Sequence, residues 1–186
     1  LPSVQMPEDQ TVCLGDEATL EIHLTGTAPW TLVMAETLEP YTIEATPFMM
    51  AITPTATTQM VVTSIADAYC SAIANGQTSI QVVQIPMQPE APQGLDIVDF
   101  NDGMTTTYLL NQVEFGENYT ANLSPENAGT VAVDGLEAIV SWNIDFRGEA
   151  SLTAMAANLC GLSDWSVAKT IEVKSTIGVD ELEAGK

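Results

Sequence analysis

The segment Ala18-Thr-Leu-Glu-Ile-His-Leu-Thr-Gly26 decides the fold class of this 186-residue sequence. Apolar residues at positions 20, 22 and 24 alternate with polar residues at 21, 23 and 25. Because successive side chains of a β-strand point to opposite faces, this period of two predicts a strand with one buried face. The glycine that follows the alternation marks its end.

The same alternation recurs along the chain, and turn signals separate the runs. Residues 30–35 carry Trp30, Leu32 and Met34 on one face, and Asn75-Gly76 is one of the intervening turns. Short runs about ten residues apart, with no helical periodicity, predict an all-β sandwich or barrel. The predicted strands are 18–26, 30–35, 48–52, 59–65, 79–85, 105–111, 118–123, 138–143, 150–157 and 167–174.

A proline-rich segment interrupts this pattern near the middle of the chain. Pro86-Met-Gln-Pro-Glu-Ala-Pro92 contains three prolines in seven residues, which a central strand does not tolerate. The segment therefore predicts a short, extended linker between two domains, with the boundary between Pro86 and Pro92. We expect domains at 1–88 and 89–176, and a flexible tail at 177–186.

The charge balance excludes several classes of partner. The chain has 25 acidic residues against four Lys and Arg, a net charge of −21, and residues 1–89 contain nine acids and no base. Nucleic acid and anionic membranes are thereby disfavoured as partners. No apolar run reaches the roughly 20 residues of a membrane span, so no membrane insertion is expected. We expect a monomer whose acidity serves solubility, although it could also attract basic or divalent partners.

Each half of the chain carries distinctive short motifs. The first half has Cys13-Leu-Gly-Asp-Glu-Ala18, Gly26-Thr-Ala-Pro-Trp30 and Ser64-Ile-Ala-Asp67, and the second half has Phe146-Arg-Gly-Glu-Ala150 and Ala157-Asn-Leu-Cys-Gly-Leu-Ser163. The motifs of the first half resemble those of bacterial PKD-like, immunoglobulin-like repeats, and the second half resembles a sister repeat. Such repeats are common in surface and secreted proteins of bacteria that use type IX secretion. The resemblance implies two tandem immunoglobulin-like (PKD or fibronectin type III-like) β-sandwiches.

The resemblance also implies a location and a function. Repeats of this kind serve as spacers, stalks and adhesion modules, so we expect a non-catalytic extracellular module at a bacterial cell surface, with an extracellular protein or a glycan as partner. Ser175-Thr-Ile-Gly-Val-Asp-Glu181 is similar to the lead-in of a type IX sorting domain, which this sequence does not contain. The alternative is a carbohydrate-binding accessory module of a secreted hydrolase. Fold alone does not decide between them.

The three cysteines have no close spacing of the kind that zinc and redox sites show. In the oxidising compartment that the resemblance implies, we expect Cys13 and Cys70 to form a disulfide, because the strand ends that carry them can meet at one end of a sandwich. The alternative is two free buried thiols. Cys160 has no partner in its own domain and is expected to be a free, inert thiol, the alternatives being an intermolecular bridge or a nucleophile.

Catalytic and metal-binding motifs are not apparent. His23 is the only histidine, and the strand pattern directs it outward beside Glu21. The Asp99–Gly103 segment superficially resembles a calcium loop, but its glycine stands at the fifth position rather than the sixth, which favours a tight turn. We therefore expect no enzyme, no cofactor and no metal site, although carboxylate pairs that meet in space cannot be found from sequence.

Aromatic residues are the candidate ligand contacts, because sugar rings stack on aromatic faces. Trp30 and Trp142 lie within predicted strands and are expected in the cores. Trp165 lies in a turn between strands and is the tryptophan expected at the surface. It is the one candidate ligand-contact residue that the sequence offers.

Overall fold

The computed structural model describes residues 1–99 and 104–174. These residues contain seventeen β-strands, one short 3-10 helix and no α-helix. The predicted all-β class is therefore confirmed. The chain divides into two compact units, Leu1–Gln84 and Ile85–Lys186, here called unit 1 and unit 2.

Unit 1 is a sandwich of two antiparallel-rich sheets. One sheet has the order β1–β3–β6, and the other has the order β2–β9–β7–β4–β5, with β8 also paired to β7. Strand β2 runs parallel to β9, and the other pairs are antiparallel. The strands are β1 (Ser3–Gln5), β2 (Gln10–Cys13), β3 (Ala18–Thr25), β4 (Trp30–Met34), β5 (Pro40–Ile43), β6 (Phe48–Ile52), β7 (Thr58–Ala66), β8 (Ser71–Ile73) and β9 (Gln77–Val83).

Unit 2 is a second sandwich. One sheet has the order β11–β14–β13, and the other has the order β10–β17–β15–β12, with β16 also paired to β15. Strand β10 runs parallel to β17. The strands are β10 (Ile97–Asp99), β11 (Thr105–Leu109), β12 (Asn118–Ser124), β13 (Gly129–Asp134), β14 (Glu137–Trp142), β15 (Gly148–Asn158), β16 (Gly161–Leu162) and β17 (Lys169–Lys174).

The alternation in the sequence is the reason that each sandwich has a closed core. Along β3 every second residue is buried, beginning with Ala18. Each unit then encloses its own hydrophobic cluster. Leu20, Ile22 and Leu32 belong to the unit 1 core, and Tyr108 and Leu152 to the unit 2 core.

All ten predicted strands are present, with bounds shifted by a few residues, but the sequence pattern missed seven others. Six of the seven have no more than four residues, and one of these, β5, begins at Pro40. The longer one, β13, has six residues and alternates in burial along its length.

The division between the units comes just before Pro86, slightly earlier than the predicted linker. The proline-rich segment is bound to unit 2: the Gln88 side chain donates a hydrogen bond to the Trp165 carbonyl at 2.6 Å. The Gln93 backbone exchanges hydrogen bonds with Leu109 of β11. The predicted tail at 177–186 and residues 100–103 of the predicted turn at Asp99–Gly103 lie outside the described residues.

One strand of each unit, β5 in unit 1 and β13 in unit 2, is here called the additional strand. The two additional strands join different sheets of their sandwiches. In unit 1, β5 pairs with β4. In unit 2, β13 pairs with β14. A two-residue connection, Gly135-Leu136, joins β13 to β14, and Gly135 has a φ of 58°, which this kind of tight hairpin requires.

Candidate functional site

Trp165 stands in the segment between β16 and β17, and 42% of its surface is exposed. The residues on both sides of it are fixed to β15. Ser163 N–H donates to the Ala156 carbonyl at 2.9 Å, and Ser166 N–H donates to the Ala154 carbonyl at 2.7 Å. Trp165 therefore projects from a segment that is held at two points.

Two buried serine hydroxyls complete this attachment. Ser163 Oγ accepts from Ala156 N–H and Ser166 Oγ accepts from Ala154 N–H, both at 2.9 Å. Each hydroxyl also donates to the carbonyl of the following residue. The side-chain oxygens thus replace backbone carbonyls in the ladder, and the chain between them bulges away from the sheet. This local geometry explains why Trp165 is directed outward.

The other two tryptophans belong to the cores, as predicted. Trp30 is 5% exposed and donates its indole N–H to the Thr25 carbonyl at 3.0 Å. Trp142 is 3% exposed and donates to Thr106 Oγ1 at 2.8 Å. Their polar atoms are used within the protein, which leaves Trp165 as the exposed tryptophan.

The predicted Cys13–Cys70 disulfide is wrong, because the two residues lie at opposite ends of unit 1. Cys13 pairs with Val83 at the end of β9. Cys70 follows the far end of β7, whose first residue, Thr58, pairs with Ile80. At the rise of a β-strand, the length of β7 alone places Cys70 about 25 Å from the level of Thr58, and Cys13 lies at the Thr58 end. A disulfide needs Cα atoms within about 7 Å.

Cys70 carries a free, exposed thiol, whereas Cys13 and Cys160 are disulfide-bonded. The expectation of a free thiol at Cys160 is therefore also wrong. Cys160 lies in the β15–β16 turn, where its N–H donates to Asn158 Oδ1 at 2.8 Å. Disulfide connectivity does not follow from sequence, and the order of the strands along the chain did not show which ends face each other.

Asp67 organises the turn that carries Cys70. Its Oδ1 accepts hydrogen bonds from Tyr69 N–H at 2.9 Å and Cys70 N–H at 2.8 Å, and its Oδ2 accepts from Thr27 N–H at 3.2 Å. These N–H donors, that of Tyr69 first, lower the pKa of Asp67 to about 2. Gly26 leaves room for the carboxylate, since a Cβ there would lie 2.6 Å from Oδ2.

His23 is exposed on β3, as predicted, and its Nε2 lies 3.2 Å from Glu21 Oε1. Among residues 1–99 and 104–174, no three His, Cys, Asp or Glu side chains are grouped so that they could hold a metal ion. The same part of the chain contains no helix with the length and hydrophobicity that a membrane crossing requires.

Comparison with known proteins identifies the fold but not a family. No family model matches the sequence, and no curated protein is significantly similar to it. Among solved structures, the three-immunoglobulin fragment I67–I69 of titin (E-to-A variant) is similar over 94% of this chain, with a TM-score of 0.58 and 14% identity. Immunoglobulin domains 1–5 of Sidekick-1 are similar over 94% of it, with a TM-score of 0.51 and 15% identity.

The chain spans 66% of that titin fragment and 39% of the Sidekick-1 fragment. At such identities the likeness shows the fold alone. The protein is thus an all-β chain with immunoglobulin-like domains, a fold that these structures use in series.

Proposed function

We propose that this chain is a non-catalytic structural or adhesion module of a bacterial surface or secreted protein. It acts outside the cell, as a spacer that holds other parts of the protein or as a contact to an extracellular protein or glycan. The observation that carries this proposal is the architecture: two consecutive immunoglobulin-like sandwiches, each closed around its own core. The disulfide-bonded cysteines support an oxidising location.

The proposal is tested on the parent protein in its source bacterium. Removing the coding sequence for residues 1–174 should leave any enzymatic activity of the parent protein unchanged but reduce attachment of the cells, or the reach of the distal part of the protein. Protease added to intact cells should cleave a tag inserted at the Asp134-Gly135 turn. Protection of that tag, or turnover of a polysaccharide by the isolated chain, would contradict the proposal.

The projecting Trp165 favours a second candidate, carbohydrate binding. An indole face that is held outward by two anchored residues resembles the rigid aromatic surface on which a sugar ring stacks. The test is a titration of the chain with soluble glycans, in which isothermal calorimetry measures the affinity. Trp165→Ala should abolish binding, whereas Tyr69→Ala, which removes the highly exposed tyrosine of unit 1, serves as the matched control. Equal affinities for both variants would reject this candidate.

A further inference from the structure

Strand β6 forms an open edge of the β1–β3–β6 sheet. It pairs with β3 on one side, from Ala18↔Ile52 to Ile22↔Phe48. No other strand of the described residues pairs with its second side. The backbone groups on that side are therefore available to a strand from another chain.

The hydrogen-bond pattern identifies which groups face outward. Leu24 N–H donates to Thr46 Oγ1 at 2.8 Å, so Leu24 faces the β6 side of β3. Because backbone groups alternate sides along a strand, every second residue of β3 also directs its N–H and C=O groups toward β6. Leu20, which is opposite Met50, is one of these residues. Met49 and Ala51 consequently direct their N–H and C=O groups away from the sheet.

Between Phe48 and Ile52 no charged residue, proline or bulge interrupts this edge, and Pro47 lies just before it. Natural edge strands are protected by charged residues, prolines or bulges. Strand β6 reads Phe-Met-Met-Ala-Ile, and 55% of the Met49 surface is exposed. Among the described edge strands with four or more residues, it is the one composed entirely of apolar residues. The others are β2, β5, β11, β12 and β13, which contain polar residues, a proline or an acidic residue.

The negative charge of unit 1 indicates which kind of strand would bind at the β6 edge. Unit 1 contains nine acidic residues and no Lys or Arg. Glu21 is opposite Met49 on the outer face of the sheet, and 53% of its side chain is exposed. Pairing of β6 with β6 of a second copy would bring two acidic units together, whereas a basic strand is attracted.

We propose that the outer edge of β6 binds an extended segment of another protein in which apolar residues alternate with lysine or arginine. Met49 and Ala51 supply the backbone hydrogen bonds that extend the sheet. This binding surface rests on the adhesion form of the proposed function, since a pure spacer has no need of it.

The two faces of the sheet account for the alternation in the partner. Apolar residues of the added strand lie on the inner side, next to the half-buried Phe48 and Ile52 at the rim of the core. Basic residues lie on the outer side, beside Met49. They are then two strand spacings, about 10 Å, from Glu21, a gap that the two side chains together can span.

The experiment uses a fluorescent eight-residue peptide with alternating valine and lysine, titrated with the full chain at 0.15 M salt. We expect saturable binding, with shifts of the Met49 and Ala51 amide resonances that exceed those of Phe48 and Met50. A peptide with the same residues in two blocks, four lysines and then four valines, keeps the charge and should bind at least tenfold more weakly. A peptide that is N-methylated along one edge should also bind at least tenfold more weakly than the alternating peptide.

Two variants of one residue test the edge itself. Ala51→Pro removes an outward N–H without removing a bond to β3, and should weaken peptide binding at least tenfold. Ala51→Val keeps the N–H and should bind as the native chain does. Thermal melting checks that both variants fold, and if Ala51→Pro does not, the N-methylated peptide decides.

Three results would overturn the proposal: no binding by the native chain, equal binding of all peptides, or dimerisation of the chain through β6 in sedimentation that Ala51→Pro abolishes. None of these results affects the deletion experiment described above, so failure of the edge site is distinguishable from failure of the proposed function.

Discussion

The two units are both two-sheet sandwiches, but their additional strands join different sheets. In unit 1, β5 extends the sheet of β4 and leaves β6 as an edge. In unit 2, β13 extends the sheet of β14, the strand that corresponds in order to β6, and covers it. The sheet that receives the additional strand therefore decides which backbone groups the domain presents to other molecules.

The connections next to that strand differ between the two units. In unit 2 the two residues Gly135-Leu136 form a tight hairpin, which keeps β13 beside β14. In unit 1 the connection that folds back on itself precedes β5: Leu38 N–H donates to the Met34 carbonyl at 3.0 Å, and Leu38 has a φ of 56°.

The largest loss of stability is expected from a substitution at Gly129, the first residue of β13. A Cβ at this position would lie 2.2 Å from the Ser141 carbonyl oxygen, in the backbone of the partner strand. Gly129→Ala must therefore displace β13 from β14, and we expect it to lower the free energy of unfolding of unit 2 by about 2–4 kcal/mol. Urea denaturation followed on amide resonances of each unit measures this, and unit 1 should not change.

Gly135→Asn is the matched control in the same hairpin. Its φ of 58° is one that asparagine adopts readily, and nothing lies within 4 Å of the added Cβ. We expect a loss below about 1 kcal/mol. If both substitutions destabilised unit 2 equally, the contact at Gly129 would not be what holds β13 in place.

The next effect concerns the serines that hold the Trp165 segment to β15. Ser166→Ala leaves the buried Ala154 N–H without its acceptor, and should destabilise unit 2 by about 1–3 kcal/mol. Ser151→Ala, on the other face of β15, is the control and should change stability by less than about 0.5 kcal/mol. Unfolding curves with unchanged midpoints for Ser166→Ala would show that water replaces the hydroxyl.

Acid should affect the two units differently because of Asp67. Its folded pKa of about 2 lies below the ordinary value of 3.8, so its contribution to unit 1 is present above pH 4 and is lost as pH falls toward 2. Asp67→Asn should make unit 1 less stable at pH 6 and flatten its pH dependence between 4 and 2. Glu39→Gln controls for loss of one charge, and an equal flattening in that variant would contradict this role of Asp67.

The smallest effect on stability is expected at Cys70. Its thiol is free and exposed, so Cys70→Ser should change the free energy of unfolding by less than about 0.5 kcal/mol. Alkylation of the unfolded, unreduced protein followed by peptide mass mapping should modify Cys70 alone. Label at Cys13 or Cys160 before reduction would contradict their disulfide-bonded state.

The sequence predicted the fold class and the cores because both depend on local alternation. Leu20 and Ile22 are buried, and Trp30 and Trp142 are core residues, as that alternation indicated. The position of Trp165 in a turn between predicted strands indicated that it is exposed, and 42% of its surface is. Ligand contact by Trp165 stays a prediction.

Features that depend on contacts between distant strands were not predictable. The end of β7 that carries Cys70 lies far from Cys13 only because β2 runs parallel to β9, and no local pattern reports that pairing. The open edge of β6 likewise depends on which sheet β5 joins, which the residues of β6 do not specify.

Native-state amide hydrogen exchange is the most direct test of this difference between the units. Trp142 N–H donates to the Met104 carbonyl on the β11 side, so the alternate residues Ile139 and Ser141 face β13. We expect slow exchange at Ile139 and Ser141, and exchange close to that of an unstructured peptide at Met49 and Ala51. Comparable protection of all four amides would contradict it, because β6 would then be covered as β14 is.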